Sequence, residues 1–529
     1  MPIRTPSSRT ERAARRSRNH GHPAQPVSGV LNGLAAALLL VVPGWTAAQR
    51  PAEIDERLER LEARQRELEQ QLERRDERID ELERALADKT DDSAPVAGSA
   101  SPASTAESEG TDSAVGSPEP GSDESAEADS GAPVAFGNGV QLAEGRAGTL
   151  SLGVYALLRA TTQRPADQTA FDHLGRELVV DTRRDVQLHR VMIHLRGWFL
   201  DPKFRYHLTT WTVNDTEQVR LIGALGYRFS DNLALWGGVG ATPGTRSLGG
   251  SHPFWLGHDR VMADEYFRTG FSTGIWLDGK ATPTLNYKLM VANNISSLGV
   301  NASEDTRDLA YGGSLWWMPT TGEFGPQGGW GDFEQHQEPA TRFGFSYMRS
   351  PKEDRAAQPS QNAPDTTQIR LGDSLLLFER GALGDGITVQ KADFQVLSLD
   401  AGFKYKGFFL QAEVYQRLLD TFEPAAGSLP IPVDSIRDEG FYVQGSFFPV
   451  PKRLELYAAT SRVRPDRDVG YDDSSEVIVG ANWFWRGSRY QRLNVQVIDV
   501  RDSPASSTFG YYTGGMDGTT VTVDVSMLF

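Results

Sequence analysis

The chain has no cysteine among its 529 residues, which excludes disulfides, thiolate nucleophiles and cysteine-ligated metals together. Long hydrophobic runs are also missing: after the first fifty residues no stretch is long and apolar enough for a membrane helix. Positive charge is in deficit, with a formal net charge of −16, which argues against a nucleic-acid partner. Asp, Glu and His are scattered without metal-ligand spacing, and no nucleophile elbow is present. The run Gly237-Gly238-Val239-Gly240 lacks the dinucleotide fingerprint. These absences predict a protein that is not an enzyme and needs no cofactor or metal.

What is present begins with a leader. Arg4, Arg9, Arg12, Arg15, Arg16 and Arg18 precede an apolar run from Val30 to Val42, interrupted at Asn32 and Gly33 and too short to span a bilayer. Thr46-Ala47-Ala48 offers small residues for cleavage before Gln49, so residues 1–48 read as a signal peptide. Residues 51–89 read as an α-helical coiled coil. Ile54, Leu61, Leu68, Arg75 and Leu82 take d positions of a 3.5-residue repeat, and Leu58, Gln65, Leu72, Ile79 and Leu86 take a positions. Arg57, Arg64 and Arg78 at g would meet Glu62, Glu69 and Glu83 at e of a parallel, in-register neighbour, which predicts a homo-oligomer. A solitary helix held by i,i+4 pairs is the alternative, but it does not need an apolar seam. Residues 90–133 hold no Lys, Arg or aromatic residue and cannot bury a core; they are expected to form a disordered acidic linker.

From 134 onward the pattern is β. The last eleven residues place Val521, Val523, Val525, Met527 and Phe529 on one face of a strand, and Thr520, Thr522, Asp524, Ser526 and Leu528 on the other. Eleven residues is about what a tilted strand needs to cross a bilayer. Strands are expected near 149–160, 186–199, 203–213, 218–229, 232–240, 270–278, 284–294, 308–316, 340–348, 394–405, 408–417, 439–448, 453–463, 475–485, 489–499 and 519–529. Short connections alternate with long ones, except for a short external loop at 214–217 and a long internal turn at 317–339. That parity is the signature of an outer-membrane barrel with short periplasmic turns, and a propeller or sandwich does not explain it. The fold class is therefore all-β: a 16-stranded antiparallel transmembrane β-barrel over 134–529, preceded by the coiled coil and linker. Both termini are then periplasmic. Trp316-Trp317, Trp483, Trp485, Tyr511 and Tyr512 fall near strand ends, where aromatic girdles sit.

Several segments, in order, resemble the phosphate-selective porin family of Gram-negative outer membranes, the porin O/P type. They are Leu188 to Gly197 (LHRVMIHLRG), Trp316 to Gly325 with Gly331-Asp332-Phe333, Pro339 to Tyr347 (PATRFGFSY), Gly407 to Tyr415 (GFFLQAEVY), and Gly440 to Phe448 (GFYVQGSFF) with Pro451-Lys452. Val479 to Trp483, the strand from Tyr490 and the terminal Phe529 complete the likeness. The resemblance implies a trimer of sixteen-stranded barrels in which the third external loop, here 241–269, folds inward. That loop carries Arg246, His252, His258, Arg260 and Arg268.

Arg190, Arg196, Arg205, Arg220 and Arg228 alternate with apolar residues on neighbouring strands. A charge facing lipid at mid-bilayer costs on the order of 2–4 kcal/mol, so these side chains are expected in the lumen. With Arg246, Arg260 and Arg268 they form the expected pore and anion-binding set, since guanidinium groups give planar, multiple contacts to phosphate oxygens. Against this, residues 134–529 carry 45 acidic and 38 basic side chains. The function expected is an outer-membrane porin forming a water-filled channel for small solutes, with anions such as phosphate as partners beside membrane lipid. A general non-selective porin is the alternative. So is a structural anchor whose coiled coil tethers the membrane to peptidoglycan or another periplasmic partner.

Overall fold

The computed structural model describes residues 139–213, 218–248, 254–297, 299, 308–325, 329–359, 367–507 and 510–529. The expected signal peptide, coiled coil and acidic linker lie outside these described residues, as does His252.

Strand β1 (Val140–Gly145) turns into β2 (Gly148–Arg164), and a small hairpin of β3 (Asp167–Phe171) and β4 (Glu177–Asp181) follows. The chain continues through β5 (Arg184–Phe199), β6 (Asp201–Val213), β7 (Gln218–Ser230), β8 (Leu233–Ala241), a helix α1 (Met262–Phe267), β9 (Phe271–Thr282), β10 (Leu285–Ala292) and β11 (Ala310–Trp317). Then come β12 (Ala340–Asp354), β13 (Val389–Tyr405), β14 (Phe408–Pro424), β15 (Ser435–Val450), β16 (Leu454–Arg464), β17 (Ser474–Trp483), β18 (Gln491–Arg501) and β19 (Gly518–Leu528). Strand β2 and strands β5 to β19 pair antiparallel in sequence order, and β19 closes on β2 with Thr519 opposite Arg164 and Leu528 opposite Tyr155. The barrel is closed with sixteen strands, which leaves no open edge in it. Strand β1 takes the part of the β2 edge that β19 does not reach, and Phe529 exchanges backbone hydrogen bonds of 2.8 and 3.0 Å with Val154.

All sixteen expected strands are present, and the alternation of short turns with long loops holds with its two exceptions. Strands β12, β13 and β14 run further than their hydrophobic alternation suggests. Their extensions carry charged cross-strand pairs, Lys352 with Glu423 at 3.8 Å and Lys391 with Asp354 at 3.7 Å, which interrupt the apolar pattern around buried Val389, Ala392 and Leu419. Strand β1 and the β3–β4 hairpin were not expected; they are short and mostly exposed.

Outward faces are apolar around the wall: Leu221, Leu225, Ile275, Leu289, Leu399, Val414, Val479 and Val497 are all exposed. So large a continuous apolar surface is not stable against water. At the short-turn end the same faces turn aromatic, with Phe204, Phe229, Trp317, Phe343, Phe408 and Trp483 exposed. Among the described residues no helix is long and apolar enough to cross a membrane, which says nothing about strands. Tyr511 and Tyr512 are not girdle residues. They are buried on an inward-folded segment, where Tyr511 Oη accepts from the His258 backbone N–H at 2.8 Å and Tyr512 Oη donates to the Arg260 carbonyl at 3.0 Å. Trp316 faces inward as well, leaving Trp317 outside.

The described residues of the long turn, 318–325 and 329–339, pack against the inner face of the wall, with Phe324 and Trp330 buried beside Phe409. His336 bonds the Asp332 carboxylate through Nδ1 and lies 2.6 Å from Glu323 Oε1 through Nε2, while Asp332 Oδ2 accepts the Gly407 N–H at 2.7 Å. The Asp332 bond, then the Glu323 bond, raise the imidazole to about 9 from its ordinary 6.5. A raised base stabilises the fold fully below its ordinary value and loses that contribution as pH rises through the folded value. The turn is therefore expected to become protease-sensitive as pH passes about 9, and His336→Gln to be sensitive throughout. Limited proteolysis at neutral and alkaline pH checks this; equal rates for both proteins at neutral pH would contradict it.

Candidate functional site: the lumen

The lumen is divided by the loop between β8 and β9. Its backbone N–H groups at Arg246, Met262 and Ala263 donate to Glu413 Oε1 (3.0 Å), Glu476 Oε2 (3.0 Å) and Ser461 Oγ (3.2 Å), on β14, β17 and β16. Asn482 Nδ2 donates to the Leu256 carbonyl at 2.8 Å, and Arg492 Nη2 to the Gly257 carbonyl at 2.9 Å. Phe267, at the end of α1, stacks on Tyr415 with centroids 5.0 Å apart and planes at 13°. These loop amides and carbonyls are thus met by wall side chains, as a buried backbone requires.

A buried ion cluster fixes the tip of that loop. Arg159 on β2 is wholly buried, with Nε 2.7 Å from Asp524 on β19 and Nη1 2.6 Å from Asp259 on the loop. Arg190 adds a second cation to Asp259 at 2.5 Å. His258 is pushed down to about 3, first by burial and next by Arg492, so it stays neutral and its Nε2 lies 2.8 Å from Ser526 Oγ.

The eight expected pore arginines therefore fall into two groups. Arg190, Arg246, Arg260 and Arg268 are buried in the packed half. Arg246 lies over the Trp330 ring at 4.3 Å and is lowered to about 10 by burial; Arg260 covers Trp255 at 4.6 Å; Arg268 pairs with Glu265 at 2.9 Å. They brace the loop and do not line an open passage. Arg196, Arg205, Arg220 and Arg228 face the lumen from β5, β6 and β7, across from the packed half. Arg196 and Arg205 are exposed, and Arg220 and Arg228 half-buried. Arg228 is also bonded to Asp231 at 2.8 Å in the adjoining turn.

The acidic excess of this region is taken up on the other side. Glu413, Asp438, Glu455, Glu476 and Asp524 all face inward there and are buried. Inward-facing side chains of β14 to β19 are mostly closed off by the loop, by Tyr511 and Tyr512 and by residues 367–383, whereas on β5 to β10 several retain solvent, His194, Arg196, Arg205, His207, Arg228 and Lys288 among them. Asp278 and, near the loop end, Asp185 are the acidic side chains facing the lumen from β5 to β11 among the described residues. The solvated inward charges are thus gathered on β5 to β10, and most of them are basic.

Sequence reasoning did not single out Lys288, Trp236 and Trp276 on this wall. The period-two pattern contained them, since Lys288 alternates with outward Tyr287 and Leu289. Two glycines make room for the indoles. A Cβ at Gly226 would stand 2.3 Å from the Trp236 ring, and one at Gly240 would stand 2.8 Å from that of Trp276. Gly226→Val is expected to cost about 1–3 kcal/mol by overpacking and to push the indole into the passage. Urea unfolding in vesicles and single-channel conductance check both effects; unchanged values in both would contradict the packing described.

The fold and site define a class: a closed sixteen-strand barrel with an apolar exterior and a polar lumen narrowed by an inward loop. No family model matches the chain, and none of the curated proteins does. Among solved structures it is similar to the outer-membrane expressed OmpT of Vibrio cholerae, at 11% identity over 73% of this chain and 99% of that one, with a TM-score of 0.45. It is similar as well to an anion-selective porin from Comamonas acidovorans, at 12% identity over 72% and 100% with a TM-score of 0.44. The outer membrane channel DcaP of Acinetobacter baumannii aligns at 10% identity over 74% and 99%, with a TM-score of 0.43. At these values none of them bears on solute or residue roles.

Proposed function

We propose that the protein is an outer-membrane porin whose off-centre, arginine-lined passage admits small anions, phosphate among them. The observation that carries this reading is the pairing of an apolar outer wall with an inward face whose solvated charges are mostly basic, Arg196, Arg205, Arg220, Arg228 and Lys288 against Asp185 and Asp278. Lipid satisfies the first and water the second. Arg196, Arg205, Arg220 and Arg228 let an anion exchange hydration shell for guanidinium contacts stepwise, held weakly enough to leave. In this reading the short turns face the periplasm, the barrel assembles as a homotrimer, and the helix of 51–89 joins neighbouring chains below the membrane.

Single-channel recording of the purified protein in a planar bilayer tests it. Stepwise ohmic conductance, with chloride current reduced by added phosphate, is the expected result. Closed membranes overturn the porin reading, and conductance indifferent to phosphate overturns phosphate recognition alone. The heptad segment supports a compatible second role as an envelope tether. Deleting residues 54–86 is expected to leave conductance intact and loosen the envelope, and loss of the oligomer as well would assign the helix to assembly.

A further inference from the structure

On the open wall, Trp236 and Trp276 have nearly parallel rings, 10° apart with centroids at 6.3 Å, and each lies across an inward-facing glycine of the preceding strand. Trp276 is covered, with Lys288 Nζ 5.2 Å from its ring centroid, whereas Trp236 is only half-buried. His207 sits 5.5 Å from the Trp236 ring. Arg205, Gly226 and Trp236 occupy one cross-strand row, all facing the lumen. The Trp236 indole spans Gly226 and so reaches toward exposed Arg205, with Arg196 beside His207 in the next row. Glycine at 226 and 240 is what lets the indoles lie flat along the wall, which accounts for part of a glycine-rich run with no nucleotide-binding pattern.

From this juxtaposition we infer that the passage contains a subsite for flat organic anions, in which an aromatic ring rests on Trp236 and its carboxylate meets Arg205 and Arg196. The inference rests on the porin reading and narrows its solute class to aromatic carboxylates. Ring-on-ring contact adds affinity that a small anion of equal charge does not gain. A guanidinium pair holds a carboxylate in its plane by two donors.

The test is block of chloride current through the full-length protein in planar bilayers by benzoate, with acetate and phosphate as ring-free anions. Benzoate is expected to reach half-block at a concentration about tenfold below that of acetate, the ratio an aromatic pair supplies. Trp236→Leu is expected to bring benzoate to the acetate level while leaving acetate and phosphate block unchanged, and Trp236→Phe to retain the preference. Arg205→Gln is expected to weaken block by all three anions. Open channels that benzoate blocks no better than acetate overturn the subsite and leave the porin reading standing. A benzoate preference that survives Trp236→Leu overturns it also, and absence of channels overturns both.

Discussion

Replacing Arg159 by leucine is expected to destabilise the folded barrel by about 3–5 kcal/mol, the range for removing one partner of a buried ion pair. Arg159 is fully buried and serves two carboxylates, Asp524 in the wall and Asp259 in the inward loop. Asp259 keeps Arg190, but Asp524 is left with no cation among the described residues, only neutral His258 at 3.4 Å and the hydroxyls of Tyr511 at 3.3 Å and Thr522 at 3.5 Å. An ionised carboxylate without a cation in that place carries its full desolvation cost. Combining Arg159→Leu with Asp524→Leu removes both charges and is expected to recover much of the loss, because the penalty belongs to the orphan and not to the missing pair. Urea unfolding in lipid vesicles measures each step. The single variant should also give noisier current, since its loop tip is freed. A single-variant loss below about 1 kcal/mol, the range of exposed pairs, would contradict this account of the cluster.

Changing Arg196, Arg205, Arg220 and Arg228 together to glutamine is expected to lower anion-over-cation permeability about tenfold or more, since charge lining a low-dielectric passage concentrates counter-ions on that scale. Arg228 is bonded to Asp231 at 2.8 Å in its adjoining turn and is expected to contribute least of the four. The matching change of Arg190, Arg246, Arg260 and Arg268 is expected to affect stability and loop position more than the sign of selectivity, because those side chains are buried against rings and carboxylates. The two variants thus separate lining from bracing. Equal shifts of selectivity in both would contradict the division of the lumen.

Much of the barrel was legible because a strand at a lipid–water boundary has no freedom in its alternation. Val521 to Phe529 outward and Thr520 to Leu528 inward follow from period two, as do the faces of β5, β6 and β7, including inward Ile222. The extensions of β12 to β14 were not legible, since charged residues such as Lys352, Lys391 and Glu423 interrupt the apolar alternation there. Within the lumen, facing was readable but accessibility was not. Arg190 and Arg196 alternate identically on one strand, yet one is sealed beneath the loop and the other is open. What separates them is Asp259, 69 residues away in sequence, which only the loop's path brings to Arg190. Tyr511 and Tyr512 were misplaced for the same reason: chain position near a strand end does not reveal that the segment folds inward.

The reversal potential of the wild-type protein under a potassium chloride gradient is the most direct test of whether the solvated half of the lumen passes anions in preference to cations. A potential with the sign of chloride permeation is expected, reduced in magnitude by the four-glutamine change. A potential with the sign of potassium permeation, or none, would contradict that preference.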